Sequence, residues 1–181
     1  MQRHGCYMEQ DELAKLVEGS GAVFTYPMHL DSEAIQRFIP HRVPMLFANS
    51  VTVLAHDHYT GEASWPAESY VFKGHFPGKP IVPGVMIVEA GAQIAGAGLR
   101  AGDPKANASQ DGNIGLLLGI RKCMFRRPVT PGQVLLFNMH TREFSENVVT
   151  VTGEVTCGSE KVATLEFVFA QAPASTLRGD S

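Results

Sequence analysis

Hydrophobic and polar positions change period several times along this chain, and each change marks an element. In "LDSEAIQRFIP" the residues Ile35, Phe38 and Ile39 fall on one helical stripe, with Ser32 as the expected cap and Pro40 as terminator. An earlier stretch, "DELAKLVEG", has helical spacing at Leu13, Leu16 and Val17, a cap at Asp11 and a stop at Gly19. From Val51 the period drops to two. "VTVLA" and "YTGEASW", separated by the His56-Asp57-His58 corner, read as two antiparallel strands. Further on, "IGLLLGIRKCMF", "GQVLLFNMHTREF", "NVVTVTGEVTC" and "KVATLEFVFAQA" are rich in Val, Phe and Thr and are split by turn sequences such as "SEN" and "GSE", so they read as four long strands. "DPKANASQDGN" is a polar loop, and the tail "PASTLRGDS" has no apolar period and is expected to fray.

Between these strand regions lies one long apolar run, "VMIVEAGAQIAGAGLR", opened by Pro83 and Gly84 and long enough for about four helical turns. From Ile81 to Leu99 it approaches the roughly 20 residues of a membrane span. Pro83, Glu89 and Gln93 interrupt it, and its many Gly and Ala residues suit a helix wrapped closely by sheet rather than one facing lipid. Glycine inside a helix costs up to about 1 kcal/mol relative to Ala, so Gly91, Gly96 and Gly98 ask for a packing reason. A sheet curled around the helix would supply one. The pattern predicts an α+β domain, an antiparallel sheet around one central helix.

Composition narrows the picture without redirecting it. The 181 residues fit one globular domain, with 44% hydrophobic content available for a core. Cys6, Cys123 and Cys157 are too scattered for a disulfide framework or a metal site, and Cys123 beside Arg121 and Lys122 reads as an inert thiol. "MQRHGCYMEQDELAKL" lacks the apolar core of a signal peptide, so a cytoplasmic protein is expected. A net charge of -3 gives no general reason to bind nucleic acid or a membrane. One basic stretch stands apart: from Gly112 to Arg142 there is no Asp or Glu, while Arg121, Lys122, Arg126 and Arg127 fall inside it. His56 and His58 lack a third ligand and read as a solvated hairpin, and "GHFPGKP" lacks the glycine spacing and the hydroxyl of a phosphate loop.

Chemistry concentrates in "GHFPGKPIVPGVMIVEAGAQ", residues 74 to 93. Glu89 and Gln93 are four apart on one helix face, which Gly96 continues. On residues alone Glu89 is either a solvent-facing acid or a carboxyl in an apolar site with its pKa raised by desolvation, ready to donate a proton near neutral pH. His75, one loop away, supplies a base whose ordinary pKa is near 6.5. The helix start at "PGV" adds unpaired backbone N–H groups that can meet a developing oxyanion.

"GHFPGKPIVPGVMIVEAGAQIAG" closely resembles the signature of the 3-hydroxyacyl-acyl-carrier-protein dehydratases of the hot-dog fold, FabZ-like enzymes. "IPHRVPML" at 39–46 and "FRRPVTPGQ" at 125–133 extend the resemblance, which covers roughly Ile35 to Ala172. It implies a hot-dog domain over 31–172, an N-terminal extension over 1–30 and a flexible tail over 173–181. It assigns His75 as catalytic base, Glu89 as acid, Gly84 as the backbone donor to the thioester carbonyl, Gln93 as the residue that positions the acid, and supporting places to Phe76 and Pro77. The implied reaction removes water from a 3-hydroxyacyl chain carried on the phosphopantetheine of acyl carrier protein, with no metal or organic cofactor. The implied assembly is a homodimer, with a trimer of dimers open. Acidic carrier proteins dock such enzymes on positive residues, and Arg121, Lys122, Arg126 and Arg127 are the candidates, a solvated strand end being the alternative.

The related dehydratase-isomerases carry aspartate at the acid position and cysteine after the PG. Glu89 and Val85 stand there in this chain, which favours dehydration without isomerisation. Asn49-Ser50 replaces the family's usual Asp-Arg pair, which leaves open whether the route is fatty acid synthesis or a specialised lipid or polyketide pathway. A hot-dog thioesterase and a non-catalytic carrier-binding scaffold remain as alternatives.

Overall fold

The structure, a computed structural model, describes residues 24–102, 113–145 and 147–173. The helix expected at 11–19, Cys6, nearly all of the 103–113 loop and the tail after Pro173 lie outside the described residues.

Strand β1 (Met28–Asp31) leads directly into helix α1 (Ser32–Phe38). The N-cap of α1 is Asp31, not Ser32: the Asp31 carboxylate accepts from Ala34 N–H at 2.8 Å, and Ser32 is the first helical residue. Asp31 prevails because its carboxylate also carries a charge favoured at a helix start. Strands β2 (Ala48–Ala55) and β3 (His58–Ser64) form a hairpin at the expected corner. A short 3₁₀ turn (Tyr70–Lys73) precedes the long helix α2 (Gly84–Gly102). Four long strands follow: β4 (Asn113–Phe125), β5 (Val134–Ser145), β6 (Val148–Cys157) and β7 (Glu160–Pro173). All pair antiparallel in one seven-stranded sheet ordered β1-β2-β3-β5-β6-β7-β4. β1 lies partly within the segment read as an N-terminal extension, yet Met28 and Leu30 are buried and its four residues pair with β2.

The period-two alternation decides which face meets the helix. Leu135, Phe137 and Met139 of β5 are buried, while Val134 and Leu136 between them are about half exposed. On β7 the alternating buried set is Ala163, Leu165, Phe167 and Phe169, with Val162 buried beside it. These inward faces curl around α2, whose residues from Ile87 to Gly102 are mostly buried. No helix among the described residues is long and apolar enough to cross a membrane.

Close wrapping accounts for two of the three glycines singled out in the helix. A methyl group at Gly98 would sit 2.4 Å from the Tyr59 ring, and one at Gly91 would sit 2.9 Å from Leu165. Gly96 departs from that expectation, because a methyl there meets only Ile39, at 3.8 Å. Its face borders a cleft rather than a strand. Tyr59 cannot yield at Gly98, being fully buried with its hydroxyl held 3.0 Å from Thr141 Oγ1. Gly98→Ala should therefore destabilise the fold by about 1–3 kcal/mol, the scale of overpacking. Gly96→Ala should hold or raise the Tm, since Ala favours a helix by about 1 kcal/mol. Thermal melts that fall equally for both variants would reject this distinction.

Candidate active site

His75 sits in a loop that ties itself in place. Phe76 and Lys79 exchange backbone hydrogen bonds across a turn in which Gly78 has a φ of 78°. Such a φ suits glycine, which has no Cβ to clash. Behind the turn, Ile81 N–H donates to the His75 carbonyl at 3.1 Å, and His75 Nδ1 lies 3.1 Å from the Ile81 carbonyl. A carbonyl can only accept, so Nδ1 carries the proton and Nε2 keeps its lone pair. The ring stacks on Phe76 with centroids 4.1 Å apart, and Phe76 is itself 52% exposed. Pro77 is exposed at the turn. Val82 N–H donates to the Val129 carbonyl at 2.8 Å, anchoring the loop to the segment after β4.

Gly84 opens α2, where first-turn N–H groups have no partner within the helix. A Cβ here would come within 2.5 Å of the Phe125 ring, so only glycine lets that ring lie against the helix start. His75, Gly84, Ile87, Phe125, Arg126 and Arg127 border one shared cavity.

Glu89 faces elsewhere. It is five residues beyond Gly84, or about 140° around the helix at 100° per residue. Glu89, Gln93, Gly96 and Arg100 form one stripe along a second cleft, closed by Ile39, Pro40 and His41 on one side and by Leu117 and Phe169 on the other. The two cavities have no lining residue in common. Within one chain, then, the candidate base and acid do not meet.

The setting of Glu89 corrects the expectation of an apolar site and a raised pKa. Gln93 is fully buried and all four of its bonds are made: Oε1 accepts from Phe47 N–H at 2.7 Å and Ala48 N–H at 3.2 Å, and Nε2 donates to Met45 O at 2.7 Å and Glu89 Oε1 at 2.9 Å. Two backbone donors fix which end of the amide is oxygen, so the Gln93 N–H must point at the carboxylate. His41 Nε2 approaches the same Oε1 at 3.2 Å. The His41 hydrogen bond lowers the Glu89 pKa below the ordinary carboxylate value; desolvation opposes it, and the Gln93 bond and the His41 charge add to it. His41 stands inside "IPHRVPML" but was not singled out as a site residue. It lies 48 positions before Glu89, and no spacing rule joins the two.

The basic residues are not equivalent. Arg127 is paired with Glu160 at 2.8 Å, and Arg121 lies 4.0 Å from Glu166. Arg126 borders the His75 cavity and, like Lys122, makes no ion pair among the described residues. Burial pushes the Cys123 thiol up, as suits an inert residue. At the hairpin corner His58 is bonded to Asn138 at 2.7 Å and stacked on His140, and does not join His56. Among the described residues no group of three or more His, Cys, Asp or Glu could hold a metal ion.

A family profile described as a FabA-like domain matches residues 39–166. The 3-hydroxyacyl-[acyl-carrier-protein] dehydratase FabZ of Caldanaerobacter subterraneus subsp. tengcongensis is 33% identical over 145 residues, covering 79% of this chain and 99% of its own length. The enzyme of the same name from Bacillus pumilus is 36% identical over 138 residues, covering 72% and 92%. Among solved structures, the dehydratase heterocomplex ApeI:P from Xenorhabdus doucetiae has a TM-score of 0.60 at 22% identity, covering 79% of this chain and 93% of that one. That likeness speaks for the fold, which is the hot-dog fold. The chain belongs to the FabA-like family, among its FabZ-like 3-hydroxyacyl-acyl-carrier-protein dehydratases.

Proposed function

We propose that the protein removes water from 3-hydroxyacyl thioesters on acyl carrier protein, giving trans-2-enoyl thioesters in fatty acid biosynthesis or a related lipid or polyketide route in the cytoplasm. The observation that carries this is the complementary setting of the two groups. His75 has Nδ1 held by a carbonyl and Nε2 free to accept. Glu89 has Oε1 held by two donors, so Oε2 is left for the substrate. His75 Nε2 takes the Cα proton, and the electron pair moves toward the thioester oxygen. There it is met by the Gly84 N–H and the positive end of α2, a contact of a kind worth about 3 kcal/mol. Glu89 Oε2 gives its proton to the departing β-hydroxyl, and water leaves. The end state, His75 cationic and Glu89 ionised, is the state that hydrates the enoyl product in reverse. The low pKa of Glu89 favours that ionised form in the open chain. Substrate and partner subunit covering the carboxyl would push the pKa back up, since burial disfavours charge. Acid, base and oxyanion donor complete the step, so the reading calls for no metal or organic cofactor.

The test is incubation with a crotonyl thioester. Loss of enoyl absorbance without release of thiol supports hydration by a dehydratase, whereas loss of absorbance matched by an equal release of thiol would identify a thioesterase. No migration of the double bond is expected, given Glu89 and Val85 at the positions that distinguish the isomerases.

The acidic carrier is proposed to dock beside the His75 cavity, where Arg126 has charge to offer, with Lys122 further back along β4. Arg126→Ala should raise the KM for carrier-bound substrate about tenfold, the loss of roughly 1.4 kcal/mol of binding, and leave the KM for a short thiol-ester mimic unchanged. Arg127→Ala, whose charge Glu160 already satisfies, should do less. Equal rises for carrier and mimic would refute docking at this mouth.

A further inference from the structure

We propose that His41 is a positioning residue for Glu89: together with Gln93 it occupies Oε1 and thereby turns Oε2 toward the reacting carbons. This rests on the reading of Glu89 as the acid. A lone donor would leave the carboxyl free to swing about its last torsion, and Gln93 is that donor from within the helix, four residues along the same face. His41 arrives from a different element, the segment between α1 and β2, at 3.2 Å from the same oxygen. Two donors converging on one oxygen from different directions define the carboxyl plane. No group among the described residues bonds Oε2.

The surroundings of His41 bear on which ring nitrogen donates. Its Nδ1 is buried and has no hydrogen-bond partner among the described residues, while its side chain as a whole remains 32% exposed. A proton on Nε2 lets His41 donate to Glu89 Oε1, the one partner that either ring nitrogen has among the described residues. The other charged groups nearby do not displace this arrangement. Arg42 is bound to the carbonyls of Ile39, His41 and Gln36, Arg100 further along the cleft donates to the Phe38 carbonyl, and β4 and β7 present Leu117, Phe169 and Gln171. The lowering of the Glu89 pKa, with the His41 bond as its largest cause, is what such a donor produces.

Removing this donor and restoring it test the role. His41→Leu should lower kcat about 10- to 100-fold, the scale of a misplaced catalytic group, with KM changed less than about threefold. The Glu89 carboxyl, followed by ¹³C NMR titration, should move to a higher pKa. His41→Gln, whose amide reaches the Nε2 position with a donor, should recover most of the kcat and return the titration toward the wild-type value. A folded His41→Leu enzyme with wild-type kcat and titration overturns the proposal, and so does a folded His41→Gln enzyme that recovers neither. A purely structural role would lower the Tm of both variants and leave the carboxyl titration unmoved. Should the variants fail to fold, ¹⁵N NMR of the wild-type imidazole decides: a proton on Nε2 supports the proposal, and a bare Nε2 overturns it. Loss of all activity in the wild-type assay would instead refute the dehydratase reading, leaving the His41–Glu89 titration coupling measurable by itself.

Discussion

Glu89→Gln is expected to cut turnover by two or more orders of magnitude, the scale of lost general acid catalysis, while the protein folds normally. The amide oxygen can still accept from Gln93 and His41, so the local geometry survives. What disappears is the proton delivered to the leaving hydroxyl. Enoyl absorbance gives the rate, and a thermal melt checks the fold. Replacing an acid in an apolar pocket with a neutral amide would gain stability. The structure removes that expectation, because two donors favour the charged form here and its loss gives nothing back. Near-normal turnover in Glu89→Gln would remove the acid assignment altogether.

The second large effect concerns assembly. His75 and Glu89 open into cavities without a common lining residue, and the proposed site is therefore expected to pair the His75 of one protomer with the Glu89 of another. The edge strand β4 offers a surface for such pairing, with Leu118, Ile120, Met124 and Phe125 about half exposed. His75→Ala and Glu89→Gln chains, each nearly inactive alone, should complement one another. In a two-fold dimer the mixed species has one intact site and one doubly defective site, so purified mixed dimers should show about half of wild-type activity. A random mixture should show about a quarter. Mixed dimers no more active than the mean of the parents would refute the shared site and leave the roles of His75 and Glu89 standing.

The sequence made the architecture legible wherever a period ran long enough. The α2 run and the four strands after it have ten or more residues each over which alternation or helical spacing can repeat. β1 escaped notice because four residues, Met28 to Asp31, are too few to show a period before the α1 pattern begins. The identities of His75, Gly84, Glu89 and Gln93 were readable from one local motif. Their electrostatics were not. The charge state of Glu89 depends on His41, and the neutralisation of Arg127 depends on Glu160 across the β4–β7 region, and both partners arrive only through folding. Gly96 shows the same limit from the packing side: its composition matched that of Gly91 and Gly98, and only the folded sheet reveals that nothing presses on it.

The Val82–Val129 hydrogen bond gives the loop a mechanical linkage as well as an anchor. It fastens the strand-like segment behind His75 to the residues immediately after Arg126 and Arg127, and the Phe125 ring rests on the helix start at Gly84. The candidate base His75, the candidate oxyanion donor Gly84 and the basic residues are thus joined through neighbouring segments. A substitution that displaces the 125–129 segment is therefore expected to disturb the His75 loop and the start of α2 together, and not the basic rim alone.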